Sequence, residues 1–146
     1  MRKIVLLLSM ALRLSIPTME TESAWIPDGG FYPRIEIEEG DVDLMARVIM
    51  SEAGGCDWET KVAVGSVIVN RVISDLYPDT IREVVFQRRQ FSTHNNGTPT
   101  AECREAAKEA LTSWDVPEDV LFFRSGHFHT WATDWKALDR LYFSTR

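Results

Sequence analysis

Sixteen consecutive residues, 58–73 (WETKVAVGSVIVNRVI), are apolar on nearly every side when wound as a helix. Trp58, Val62, Gly65, Val69 and Val72 keep the helical spacing, and after Ser66 the only polar side chains are Asn70 and Arg71. A helix without a polar face has to be covered all round, so this segment is predicted to be central. The β-branched run 62–69 also suits a buried strand, but the length favours a helix with Asp57 as its N-cap. For Asn70 and Arg71 two readings stay open: they brace an active-site carboxylate, or they end the helix. With 146 residues, 45% of them hydrophobic, the chain has room for one such core and not for a second full domain.

The segments on either side supply the cover. Residues 42–53 carry Leu44, Met45, Val48 and Ile49 at amphipathic spacing, with Asp41 as the expected N-cap and Gly54-Gly55 as the stop. Glu52 follows Val48 by four residues and Met45 by seven, which puts a carboxylate on or beside the apolar face near the helix C-terminus. Partial burial and the negative end of the helix dipole both oppose its ionisation, and a carboxylic acid kept protonated is what a general acid requires. A Glu that merely snorkels from the edge of the face is the plainer alternative. Thr80 and Glu83 form a capping box for a short helix to Phe86, followed by a polar loop with Phe91 as anchor and a basic spot at Arg88 and Arg89. A fourth helix is predicted over 101–113, with Cys103, Ala106, Ala107, Ala110 and Leu111 inward and Trp114 closing it. The remainder suggests two short aromatic strands, near 120–124 and 141–144, paired like a β-hairpin around a His- and Trp-rich excursion.

Charge divides the chain further. The formal balance is −6, from 16 basic and 22 acidic residues, which argues against a nucleic-acid binder that neutralises phosphates. Residues 1–19 carry +3, residues 20–41 carry −6 and residues 42–146 carry −3. The basic start with the apolar run 4–12 reads as a signal peptide or N-terminal anchor over 1–23, an export expectation, although Arg13 interrupts the run. Residues 24–41, with Pro27, Gly29, Gly30 and Pro33, read as an acidic linker, leaving 42–146 as the functional domain.

The ordered series ARVIMSEAGG, VAVGSVIVNRV, YPDTIREVVFQ, QFS, AAKEAL, LFFRS and YFS resembles the catalytic domain of the SleB/CwlJ family of spore cortex-lytic cell-wall hydrolases, over roughly 42–146. The resemblance implies a small α+β domain, lysozyme-like and similar to lytic transglycosylases, mostly helical with a short β-hairpin. It also implies a substrate, the glycan strand of peptidoglycan, and a catalytic residue, which in this sequence is Glu52.

A hydrolytic glycosidase usually needs two carboxylates, and no second acid here demands that role, since Asp57 and Glu59 belong to the first turn of the next helix. A lytic transglycosylase needs one, with the C6 hydroxyl of the same muramic acid as nucleophile. Transglycosylation between N-acetylmuramic acid and N-acetylglucosamine is therefore expected, with no cofactor, and with a monomer as the expected state. Gln90, Phe91 and Ser92 match the family's QFS segment and are expected to hold sugar amides; Phe123, Trp131 and Tyr142 are candidate sugar-stacking walls. The rival chemistry is a zinc-dependent amidase or peptidase built on His127 and His129, which share a face if the segment is a strand. A non-catalytic glycan-binding module is the rival from outside enzymology. Cys56 and Cys103 either pair, which would support export, or remain two free thiols.

Overall fold

The computed structural model describes residues 35–91, 98–113 and 115–146. Four helices, α1 (Asp41–Ala53), α2 (Trp58–Ile73), α3 (Ile81–Phe86) and α4 (Ala101–Thr112), precede three strands, β1 (Val120–Ser125), β2 (Thr133–Leu138) and β3 (Leu141–Thr145). The α+β expectation holds. Helix α2 is the hub: α1, α3, α4 and β1 all pack on it, and every residue from Thr60 to Val72 is buried. Its N-cap is Asp57, whose carboxylate accepts from the Thr60 N–H at 3.2 Å. Gly65 lets its neighbours approach, because a Cβ there would lie 2.8 Å from the Ala110 Cβ of α4 and 3.2 Å from the Ile49 Cδ1 of α1.

The flanking helices follow their local signals with one correction. Thr80 caps α3 through its hydroxyl and the Glu83 N–H at 3.2 Å, and Thr100 caps α4 in the same way on the Cys103 N–H. The inward residues of α4 are those expected, Cys103, Ala106, Ala107, Ala110 and Leu111. At α1 the N-cap is Gly40 in the left-handed region (φ 89°), and Asp41 is already helical. The Asp41 carboxylate turns back to accept from the Glu38 N–H at 2.7 Å and is buried there. Ile35 and Ile37 pack on the core, so the last residues of the expected linker belong to the folded body. Both cysteines are free thiols, Cys103 buried with its Sγ 3.9 Å from the Met50 Sδ.

The strands depart from the expected hairpin. They form one antiparallel sheet in the order β1-β3-β2, so the excursion after β1 contributes a strand of its own. Strand β2 escapes sequence reading because most of its residues are exposed and a register shift between Asp134 and Lys136 breaks its alternation. Phe123 and Phe143 pair across β1 and β3 with ring centroids 5.5 Å apart, and Trp135 meets Phe143 edge-on at 6.2 Å.

A two-residue turn, Asp139-Arg140, joins β2 to β3 and clasps the loop between α1 and α2. Asp139 takes a left-handed backbone (φ 48°), which Asp tolerates better than most residues. Its carboxylate accepts from the Asp57 N–H at 3.0 Å and from the Thr60 hydroxyl at 2.7 Å. From the other side the Lys61 ammonium donates to the Cys56 carbonyl at 2.6 Å and to Glu102 at 2.9 Å.

Two outcomes test this packing. Gly65→Val should destabilise the fold by about 1–3 kcal/mol through overpacking, read as a fall in Tm by circular dichroism; an unchanged Tm would contradict the close approach of α2 and α4. The Thr60 hydroxyl and Asp57 N–H bonds hold the Asp139 carboxyl below its ordinary pKa. A depressed carboxylate contributes stability that is present above its unfolded-state pKa and disappears as the pH falls through the lower folded-state value. Asp139→Asn should therefore lower Tm at neutral pH, and the Tm curves of the two proteins should converge in strong acid.

Candidate active site

Glu52 sits in the last turn of α1, half-buried, where the chain must leave the helix at once. Gly54 caps that end, still helical and with its N–H on the Met50 carbonyl, and a Cβ at this position would lie 2.5 Å from that oxygen. The clasped loop after it holds the end of α1, and from the β2–β3 turn Arg140 Nη2 donates to the Glu52 carbonyl oxygen at 3.4 Å. A guanidinium at the C-terminal carbonyls of a helix opposes the negative end of its dipole.

The Glu52 side chain borders an open groove of about 340 Å³ lined by Arg89, Gln90, Phe91, Phe123, Arg124, Ser125 and Leu141. Four parts of the chain meet there: the end of α1, the segment after α3, the C-terminal end of β1 and the start of β3. Phe91 and Phe123 form an apolar wall, their ring centroids 6.2 Å apart. Arg89 lies in the left-handed region (φ 64°), a conformation few non-glycine residues adopt.

The groove is held from below by Arg71, which is buried in α2. Its Nε donates to the Leu121 carbonyl at 2.9 Å, its Nη1 to Gln90 Oε1 at 3.0 Å, and its guanidinium lies 4.9 Å from the Phe91 ring centroid and 5.1 Å from that of Tyr77. Burial pushes its pKa down from the usual arginine value, and Tyr77 acts against that. Arg71 offers only donors, so Gln90 turns its carbonyl oxygen towards it. Next to it, Asn70 Nδ2 donates to the carbonyls of Pro117 at 2.8 Å and Val120 at 3.0 Å. The two polar residues of α2 thus secure strand β1 and the Gln90-Phe91 wall; neither is hydrogen-bonded to the Glu52 carboxylate among these contacts.

Of the expected site residues, Gln90, Phe91 and Phe123 come together with Glu52. Ser92 lies outside the described residues, as does Trp114. Trp131 and Tyr142 are not among the residues that line this groove. Trp131 is 65% exposed and stacks near Phe122 and His129, at 4.8 and 4.7 Å between centroids, while Tyr142 meets Phe128 edge-on at 5.0 Å. In β3, Tyr142 alternates with Leu141 and Phe143, which face the core, so its ring points to the other side of the sheet.

The histidines differ from the strand expectation as well. His127 and His129 fall between β1 and β2, His127 Nδ1 lies 2.7 Å from the Phe128 carbonyl oxygen, and His129 belongs to the aromatic stack. Burial lowers the His129 pKa, with the Arg124 charge acting in the same direction. Among the described residues no three His, Cys, Asp or Glu side chains converge as a metal site. Sequence reasoning missed Arg89 and Arg124 as groove residues. The basic spot at Arg88 and Arg89 was the only signal, and nothing local tells which of the two turns inward.

The cell wall hydrolase family matches this chain over residues 55–143. The spore cortex-lytic enzyme of Oceanobacillus iheyensis is 36% identical over 104 residues, covering 66% of this chain and 38% of that protein. That of Bacillus subtilis is 32% identical over 99 residues, covering 65% of this chain and 30% of that protein. The chain therefore spans only about a third of the length of these relatives. Among solved structures, the catalytic domain of the Bacillus cereus SleB protein superposes with a TM-score of 0.69 at 26% identity, covering 80% of this chain and all (100%) of that one. The catalytic domain of the germination-specific lytic transglycosylase SleB from Bacillus anthracis gives 0.66 at 25% identity, covering 82% of this chain and 100% of its own. The fold of helices and a small sheet agrees with these catalytic domains, and this chain belongs to the cell wall hydrolase family.

Proposed function

We propose that the chain cleaves the glycan strand of peptidoglycan between N-acetylmuramic acid and N-acetylglucosamine as a lytic transglycosylase, with Glu52 as general acid and then general base. The observation that carries this reading is that Glu52 is the one carboxylate among the described residues lining the groove. Residues 92–97, which follow Phe91, contain no Asp or Glu either. A single carboxylate suits a reaction whose nucleophile comes from the substrate, whereas hydrolysis with water calls for a second one.

Glu52, protonated, donates to the glycosidic oxygen as the bond to C1 of muramic acid breaks, and the N-acetylglucosamine leaves with its C4 hydroxyl restored. The Glu52 carboxylate then takes the proton of the C6 hydroxyl as that oxygen bonds to C1. The product carries a 1,6-anhydro end, no water is consumed, and Glu52 is again protonated. Phe91, Phe123 and Leu141 offer the sugar rings an apolar wall, and the Gln90 amide N–H groups suit the 2-acetamido oxygens. Residues 1–23 serve export in this reading, and residues 24–34 lead to the folded body. The names of the relatives, spore cortex-lytic enzymes and a germination-specific lytic transglycosylase, support a site of action at the cell wall or spore envelope.

Glu52→Gln should lower the release of muropeptides from purified sacculi by roughly a hundred- to ten-thousand-fold with an unchanged circular dichroism spectrum. Retained activity would overturn the role of Glu52. Mass spectrometry of the fragments should show anhydromuramic ends, and reducing ends in their place would sink the transglycosylase reading. EDTA should leave the activity in place; a loss that zinc restores would return the reaction to His127 and His129.

A further inference from the structure

Phe123 and Phe143 turn towards the helices, so Phe122 and Arg124 of β1 and Tyr142 of β3, which alternate with them, lie on the other face of the sheet. The segment between β1 and β2 brings further rings to this face. Trp131 stands edge-on to Phe122, at 4.8 Å between centroids and 78° between planes, and lies tilted against His129 at 4.7 Å. His129 in turn meets Phe122 edge-on at 6.2 Å, and Phe128 meets Tyr142 at 5.0 Å. Three rings thus brace one another, yet Trp131 is left 65% exposed. An indole fixed on two sides and open on the rest is a surface that marks an interaction site.

The size and surroundings of that surface select its occupant. The other exposed large hydrophobic side chains among the described residues, Trp58, Leu76 and Phe86, belong to α2, the segment after it, and α3. One indole is far too small for a stable protein interface, which buries about 800 Å² on each partner. It does match a pyranose, which offers an apolar C–H face to an aromatic ring and hydroxyl groups around its rim. The His129 imidazole, the Tyr142 hydroxyl and the Arg124 guanidinium lie among these rings as polar partners for such a rim. Arg124 also connects this face to the groove at Glu52, because it lines the groove and is two residues, about 7 Å, along β1 from Phe122. Burial lowers the His129 pKa and the Arg124 charge acts in the same direction, so Arg124 is within electrostatic reach of the ring cluster.

We propose that Trp131, braced by Phe122 and His129, is a carbohydrate-binding platform on the outer face of the sheet that grips the glycan strand beyond the groove, past Arg124. The proposal rests on the glycan-cleaving reading of the groove and adds to it a second point of attachment for the same strand. A strand held at both places dissociates less readily than one held in the groove alone.

The test uses the full chain and peptide-free glycan strands released from purified sacculi. Affinity is measured by calorimetry in the Glu52→Gln background, and cleavage in the active protein. Trp131→Ala should weaken strand binding about tenfold, and Trp131→Phe, which keeps a ring, should recover part of it, with circular dichroism unaltered in both. In the active protein Trp131→Ala should raise the KM for strands by a similar factor while kcat holds, since the platform lies outside the groove. Equal strand affinity with and without the indole, or a fall in kcat at unchanged KM, would overturn the platform. So would unchanged strand affinity together with the loss of a dimer in the ultracentrifuge, which would make this surface a contact between copies of the chain. Strand binding that depends on Trp131 in a protein that releases no fragments would sink the cleavage reading instead and leave the platform standing.

Discussion

A helix buried on all sides imposes the arrangement of everything else. Because α2 presents apolar residues in every direction, α1, α3, α4 and β1 must each cover part of it. The close approach at Gly65 sets how tightly α1 and α4 come in. The buried side-chain donors of Ser66, Asn70 and Arg71 must find partners, since an unpaired buried donor is costly. Ser66 bonds back to the Val62 carbonyl, while Asn70 reaches the Val120 carbonyl of β1 and Arg71 the Leu121 carbonyl. The core thereby dictates where the sheet begins.

The same economy links core to chemistry. Arg71 spends one side of its guanidinium on strand β1 and the other on Gln90 and Phe91, so the wall of the groove is an extension of the buried helix. The clasp at Asp139 and Arg140 fastens the sheet to the loop just after Glu52. A side chain that must keep one position at a helix C-terminus needs such fixing, because the last turn of a helix frays. Here it is held by a glycine cap, a lysine from α2 and a turn from the far end of the chain.

Much of the fold was legible because its signals are local. Asp57, Thr80 and a tight Gly54 mark helix ends within four residues of the groups they bond, and the apolar spacing of α1 and α4 names their buried faces. The position of Glu52 on α1 was legible for the same reason. Asp41 misled because a buried Asp can cap backwards onto Glu38 as well as forwards. Strand β2 was missed because its residues are held by pairing with β3 and not by an apolar pattern. Trp131 and Tyr142 resembled groove residues by type, yet strand alternation and the turn after β1 turn them elsewhere.

The sequence by itself determined the four helices, the centrality of α2, the carboxylate at the end of α1 and the family to which these motifs point. Periodicity and capping act over one or two turns, within reach of a reading along the chain. Only the tertiary structure decided the strand order β1-β3-β2, the role of Arg71 as a brace for the groove wall, and the meeting of Arg89 and Arg124 at Glu52. Those depend on contacts between residues far apart in the chain, for which a single sequence carries no local mark.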